Sequence, residues 1–126
     1  MIPDQQIIDK WWLADDEGIA RIFSGINYLS SYDETYHAGM IHLLRLQKKS
    51  TELVLGSGGI KNIFVDGGFC KSRVFMKLMA RSFPEMELYA ASLAQASSLG
   101  AALSIHHHWN KKGLPGNLLE LKRYLI

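Results

Sequence analysis

Apolar positions in this chain switch between two periods, and each switch marks an element. Ile7, Ile8, Trp11 and Trp12 recur at helical spacing until Asp15-Asp16-Glu17-Gly18 interrupts them with a turn signal. A second short amphipathic piece covers residues 19–26. Ser31-Tyr32-Asp33-Glu34 is a Ser-x-x-Glu capping box that predicts a helix. That helix places Tyr36, Met40, Leu43, Leu44 and Leu46 on its apolar side and Lys48 and Lys49 on its solvated face. Gly56-Ser57-Gly58-Gly59 ends it after Leu55. The period then changes. Asn62-Ile63-Phe64-Val65-Asp66 holds a continuous apolar run, the pattern of a strand covered on both faces.

Gly67-Gly68 follow that strand at once, and a helix is expected from about Lys71. Val74, Phe75, Leu78 and Met79 form its apolar face, and Pro84 closes it. Met86-Glu87-Leu88-Tyr89 reads as a short strand. Ser92 and Gln95 make a second capping box for a last long helix, rich in small residues and ending near Trp109. Residues 117–126 read as one more short helix. The order helix–strand–helix–strand–helix predicts an α/β class with parallel strands and right-handed crossovers. Two strands make a thin sheet, which points to a fragment or to a domain that a partner completes. Residues 1–30 form an N-terminal helical segment, 31–110 the main unit and 111–126 a tail.

Composition narrows the function classes. The chain has 126 residues, enough for one modest core, with 48% apolar and 21% charged residues. A formal charge of +2 without a basic run argues against a nucleic-acid partner. Cys70 is the only cysteine, so no internal disulfide forms and a reducing compartment is expected. Asp4 and Asp9 interrupt the start, where no secretion signal is apparent, and no stretch reaches the length of a membrane span. A cytoplasmic location is the resulting expectation.

The strongest chemical candidate is the glycine pair. An apolar strand that ends in Gly67-Gly68 and opens into a helix brings backbone close to a ligand. No Cβ blocks the approach, and the free N–H groups of the helix start favour electron-rich groups. A plain strand-to-helix turn is the competing explanation. A dinucleotide site is excluded in detail, because Gly-x-Gly-x-x-Gly is missing and the second strand has no acidic residue at its end. His106-His107-His108 resembles a metal tract, yet successive helical residues point roughly 100° apart and do not converge. His37 and His42 are also wrongly spaced to share a ligand. Cys70 reads as a small turn residue, and Trp11-Trp12 as packing of the N-terminal segment onto the core.

Taken together, these segments resemble the C-terminal end of the FGGY carbohydrate kinases, of the actin-like ATPase superfamily. Tyr36-His37 is similar to the family's Ala-Tyr-His helix opening. Ile63-Phe64-Val65-Asp66-Gly67-Gly68-Phe69 is similar to its adenosine motif. Phe83-Pro84 and Leu88-Tyr89-Ala90-Ala91-Ser92 resemble the arrival and departure of the next strand. Gln95-Ala96-Ser97-Ser98-Leu99-Gly100-Ala101-Ala102 looks like the segment that joins the family's two large domains. The likeness spans about residue 32 to the C-terminus and leans toward the rhamnulose-type kinases.

The resemblance implies a partial RNase H-like domain that binds ATP, with Gly67, Gly68, Phe69, Ser72 and Gly100 as nucleotide-side residues. Ser72 stands near where the family usually has a base-contacting asparagine, within Cys70-Lys71-Ser72-Arg73. No Asp-x-Gly-Thr loop occurs in this chain. The catalytic aspartate, the phosphate loops, the magnesium ligands and the sugar site are therefore expected in segments outside it. The implied reaction moves the γ-phosphoryl of ATP to a sugar hydroxyl. The alternative is a non-catalytic remnant or a module that completes a partner subunit. In the family's fold the residue 63–65 strand has a further neighbour from the preceding part of the domain. An unpaired edge there predicts self-association, unless the N-terminal segment covers it.

Overall fold

A computed structural model describes residues 1–24, 31–91 and 96–125, apart from the side chain of Phe23. Its helices are α1 (Gln5–Trp12), α2 (Asp16–Phe23), α3 (Tyr32–Leu55), α4 (Arg73–Ser82), α5 (Ala96–Ser104) and α6 (His106–Trp109). Its strands are β1 (Asn62–Val65), β2 (Glu87–Ala91) and β3 (Leu121–Tyr124), in the sheet order β1-β2-β3. The class is α/β in the general sense, with a small mixed sheet.

Helix starts follow local chemistry. The Asp4 carboxylate accepts the Gln6 and Ile7 N–H groups, Asp15 accepts that of Gly18, and Ser31 Oγ accepts that of Glu34. Asp15-Asp16-Glu17-Gly18 therefore opens α2, where a turn was expected, because Asp15 caps the next three residues. Gly56 stops α3 at φ +58°, a conformation that costs a residue with a Cβ roughly 1–2 kcal/mol.

The buried face of α3 differs from the expected one. His37, Ala38, Ile41 and Leu44 are buried and Tyr36 and Met40 half-buried, whereas Leu43 and Leu46 are exposed. The buried stripe runs toward α1, α2 and α4, which pack around this helix. One core joins Ile8 of α1 and Ile19 of α2 to Ile41, Val74, Leu78 and Leu88. Each large aliphatic side chain buried there contributes about 1.5–3 kcal/mol. Trp11 and Trp12 pack against this cluster, as their spacing predicted.

β1 and β2 are parallel, with Ile63 opposite Leu88 and Phe64 opposite Tyr89. The tail is the main correction: the helix expected in residues 117–126 is the strand β3, antiparallel to β2. Tyr124 packs toward the core opposite Leu88, while Arg123 on the other face binds Glu87 at 2.8 Å. Pairing also satisfies the backbone edge of β2, which a tail helix would leave open. The second strand likewise extends further than expected, to Ala91. β1 is not covered on both faces. Ile63 and Val65 face the core, but Phe64 is 56% exposed and stacks on Tyr89 at 5.3 Å.

The last long helix is interrupted at Ile105, dividing it into α5 and α6. The capping box expected at Ser92 and Gln95 lies outside the described residues. Among the described residues, no helix is long and apolar enough to cross a membrane.

Candidate functional site

The chain leaves β1 through Asp66 and turns at Gly67, whose φ of +82° is the left-handed region that favours glycine. A single 3₁₀ turn, Gly68–Lys71, follows, and α4 begins at Arg73, two residues later than predicted. The helix starts there because Ser72 Oγ accepts the Phe75 N–H at 3.2 Å. Gly67 and Gly68 are exposed, and a Cβ added to either would meet no heavy atom within 4 Å. The turn thus presents bare backbone at the C-terminal end of a parallel strand. Open α/β sheets place ligands at such strand ends.

Two side-chain contacts fix this turn from below. The Cys70 thiol donates to the Gly67 carbonyl at 3.0 Å and lies 3.6 Å from the Ala91 carbonyl at the end of β2. It therefore ties the turn to the neighbouring strand, a role beyond that of a small turn residue. Ser72 Oγ also lies 3.0 Å from the Tyr36 hydroxyl on α3. Its hydroxyl is committed to the cap and to Tyr36, so part of its capacity for a ligand is already used. Sequence spacing did not expose the Tyr36–Ser72 link, because the partners are far apart in the chain. Tyr36 entered through the apolar side of its helix and through the helix-opening motif, not as a partner of Ser72.

Phe69 packs its ring on Phe75 at 4.8 Å yet stays 49% exposed. It forms one wall of a groove of about 470 Å³ between β1 and the second half of α3. Ile63, Val65 and Asp66 line one side and Ser50, Thr51 and Val54 the other. Of the expected nucleotide-side residues, only Phe69 lines this groove. Gly67, Gly68 and Ser72 lie beside it in the turn.

Gly100 is not brought to this turn by any described contact. It sits in α5, whose chief packing is on α6, and a Cβ there would meet nothing within 4 Å. The small-residue face of α5 is open in this chain, where burial had been one expectation.

Exposed charges flank the turn, with Asp66 before the glycines and Lys71 and Arg73 after them. Glu87 accepts the Tyr89 hydroxyl at 2.6 Å, which pushes that phenol above its ordinary range. His106 Nε2 lies 2.9 Å from the Lys112 carbonyl, and its ring meets Trp109 edge-on. No group of three His, Cys, Asp or Glu side chains among the described residues is arranged to hold a metal ion. Comparison with protein-family models, with curated proteins and with solved structures returned no match.

Proposed function

We propose that this chain is the nucleotide-side, C-terminal portion of an FGGY-type sugar kinase, with a partial RNase H-like fold. The observation that carries the reading is the open Gly67-Gly68 turn. It combines exposed glycine backbone, a positive φ at Gly67 and free space above both Cα atoms at the end of a parallel strand. ATP is the ligand this reading assigns, with the adenosine over the two glycines and Phe69 beside it. Magnesium and the sugar would be held by segments outside the chain, where the base for the attacking hydroxyl also belongs. ATP supplies the transferable phosphoryl group, and this chain supplies part of the surface that orients it.

Calorimetric titration with ATP, with and without magnesium, tests the proposal. Saturable binding to this chain that is lost on closing the turn supports it, and no heat of binding at millimolar ATP removes the turn as a sufficient site. Sugar phosphorylation is expected only after the missing catalytic segments are supplied in trans.

A second reading, a module that completes a partner subunit, is favoured by the position of β1. Among the described residues this strand ends the sheet order, and α1 and α2 pack on α3 rather than along its outer side. Detectable assembly with the preceding part of the domain, without nucleotide binding, would favour this second reading.

A further inference from the structure

His37 is 1% exposed and both its ring nitrogens are engaged. Nδ1 lies 2.7 Å from the Asp33 carbonyl, which only accepts, so Nδ1 carries the proton. Nε2 lies 3.0 Å from the Asp4 N–H, which only donates, so Nε2 presents its lone pair. The contacts therefore define a neutral imidazole. Asp4 is the N-cap of α1, and His37 lies in the second turn of α3. The pair thus joins the start of one helix to the flank of another.

We infer that His37 is an acid-sensitive latch that holds the N-terminal helix α1 against α3. Protonation would place an N–H at Nε2 directly against the Asp4 N–H, two donors facing each other where the buried His37 ring meets the exposed start of α1. The surrounding charges offer little relief. On α3, Asp33 supplies its carbonyl, and the Glu34 carboxylate already accepts Lys10 Nζ and Trp11 Nε1 from α1. The edge of the Tyr36 ring is 6.0 Å away. On α1, Asp9 is held by Gln5 and by Arg81 of α4, the helix that also carries Lys77. On α2, Asp16 is bound by Arg45.

The Asp4 carboxylate belongs to the residue whose N–H meets Nε2, and it is already engaged. Turning it toward Nε2 would take it from the Gln6 and Ile7 N–H groups that it caps. Either response dismantles the start of α1. Charging the ring therefore favours a state in which α1 has left α3.

The test follows tryptophan emission from pH 8 to pH 5 in a Trp109→Phe background, where Trp11 and Trp12 on α1 report. The unmodified latch should give an emission transition as the pH falls across this interval. In His37→Gln a neutral amide oxygen replaces the Nε2 lone pair, and the transition should vanish although the other four histidines remain. A second measurement uses the latch intact: hydrogen exchange at the Asp4 amide. Intrinsic exchange slows as pH falls through this range, so release of α1 should appear as protection reduced at least about tenfold. A flat emission profile, a transition that persists in His37→Gln, or Asp4 exchange that slows in step with the intrinsic rate would each overturn the inference. The exchange result decides the matter if the Gln variant does not fold.

Discussion

Arg81 on α4 donates to Asp9 on α1 at 2.6 Å and, in the same pose, lies over the Trp12 ring at 4.6 Å. One guanidinium thus anchors α1 at its middle and at its C-terminal end, by charge at one position and by stacking at the other. Arg81→Ala should lower the melting temperature more than Asp9→Asn. It also loses the Trp12 stack, about 0.5–1 kcal/mol for a part-exposed pair. Equal thermal shifts in the two variants would show that the stack contributes nothing.

The same pair sets a dependence on acid. Arg81 and Gln5 hold the Asp9 carboxyl below its ordinary range, and Arg45 does the same for Asp16. Near those values the folded chain binds fewer protons than the unfolded one. The stabilisation is therefore complete above the ordinary carboxylate value of 3.8 and is lost as pH falls through the lowered folded values. Both groups are solvated, so the effect is small. Melting curves between pH 5 and 2 should show a shallower acid loss in an Asp9→Asn, Asp16→Asn variant. A loss as steep as in the parent would assign acid unfolding to other groups.

The two glycines of the turn should respond differently. Gly67 has a positive φ, so Gly67→Ala strains the backbone by roughly 1–2 kcal/mol whatever binds there. Gly68 has no such φ and has open space around it, so Gly68→Val should fold normally. On the proposed reading, this variant should weaken adenine-nucleotide binding in a chain completed by the missing segments at least about tenfold, or about 1.4 kcal/mol. Unchanged calorimetric affinity in folded Gly68→Val would exclude the turn as the adenosine contact.

Gly100→Leu probes the open face of α5. With nothing within 4 Å of the added Cβ, no overpacking arises in this chain. Removing a mid-helix glycine should stabilise α5 by up to about 1 kcal/mol. If a second domain packs there, as the proposed reading implies, the same change should cost about 1–3 kcal/mol. Destabilisation of the isolated chain, read by chemical denaturation, would mean that α5 is already packed.

On β1, the Lys61 carbonyl accepts the Glu87 N–H at 2.8 Å, and parallel pairing then alternates along the strand. Residues 61, 63 and 65 serve the ladder to β2, leaving the N–H and C=O groups of Asn62 and Phe64 on the free side. The isolated chain should therefore self-associate on concentration. Phe64→Pro removes one free-side N–H and should reduce that association, whereas Phe64→Ala, which keeps it, should retain more. Sedimentation velocity separates the cases, and equal behaviour of the two variants would rule out strand pairing.

Elements with local signals were legible in the sequence. The Ser31 cap, the Gly56 stop and the apolar face from Val74 to Met79 fix α3 and α4 through contacts within a few residues. The parallel pairing of the two predicted strands also followed from their order. What escaped depends on distant partners. Leu121-Lys122-Arg123-Tyr124 is too short and too charged to announce a strand, and it becomes one because β2 offers it an edge. Leu43 and Leu46 looked like core because periodicity marks a stripe but not which neighbours will cover it. At the candidate site, the glycines were legible from their type. The Cys70 and Tyr36 contacts that support them join separate elements and left no local mark.

The two margins of the sheet are chemically unlike. β3 carries Lys122 and Arg123 along one border, whereas β1 carries no charge from Asn62 to Val65 along the other. Cationic side chains on a strand resist the approach of another, so only the β1 border invites extension. Two chains that meet there would bury the receptive border and leave a β3 strand at each outer limit. On that arrangement, growth by strand pairing would stop at a pair. The tail would thereby set a limit on stoichiometry, with β3 as a terminator of strand-by-strand growth.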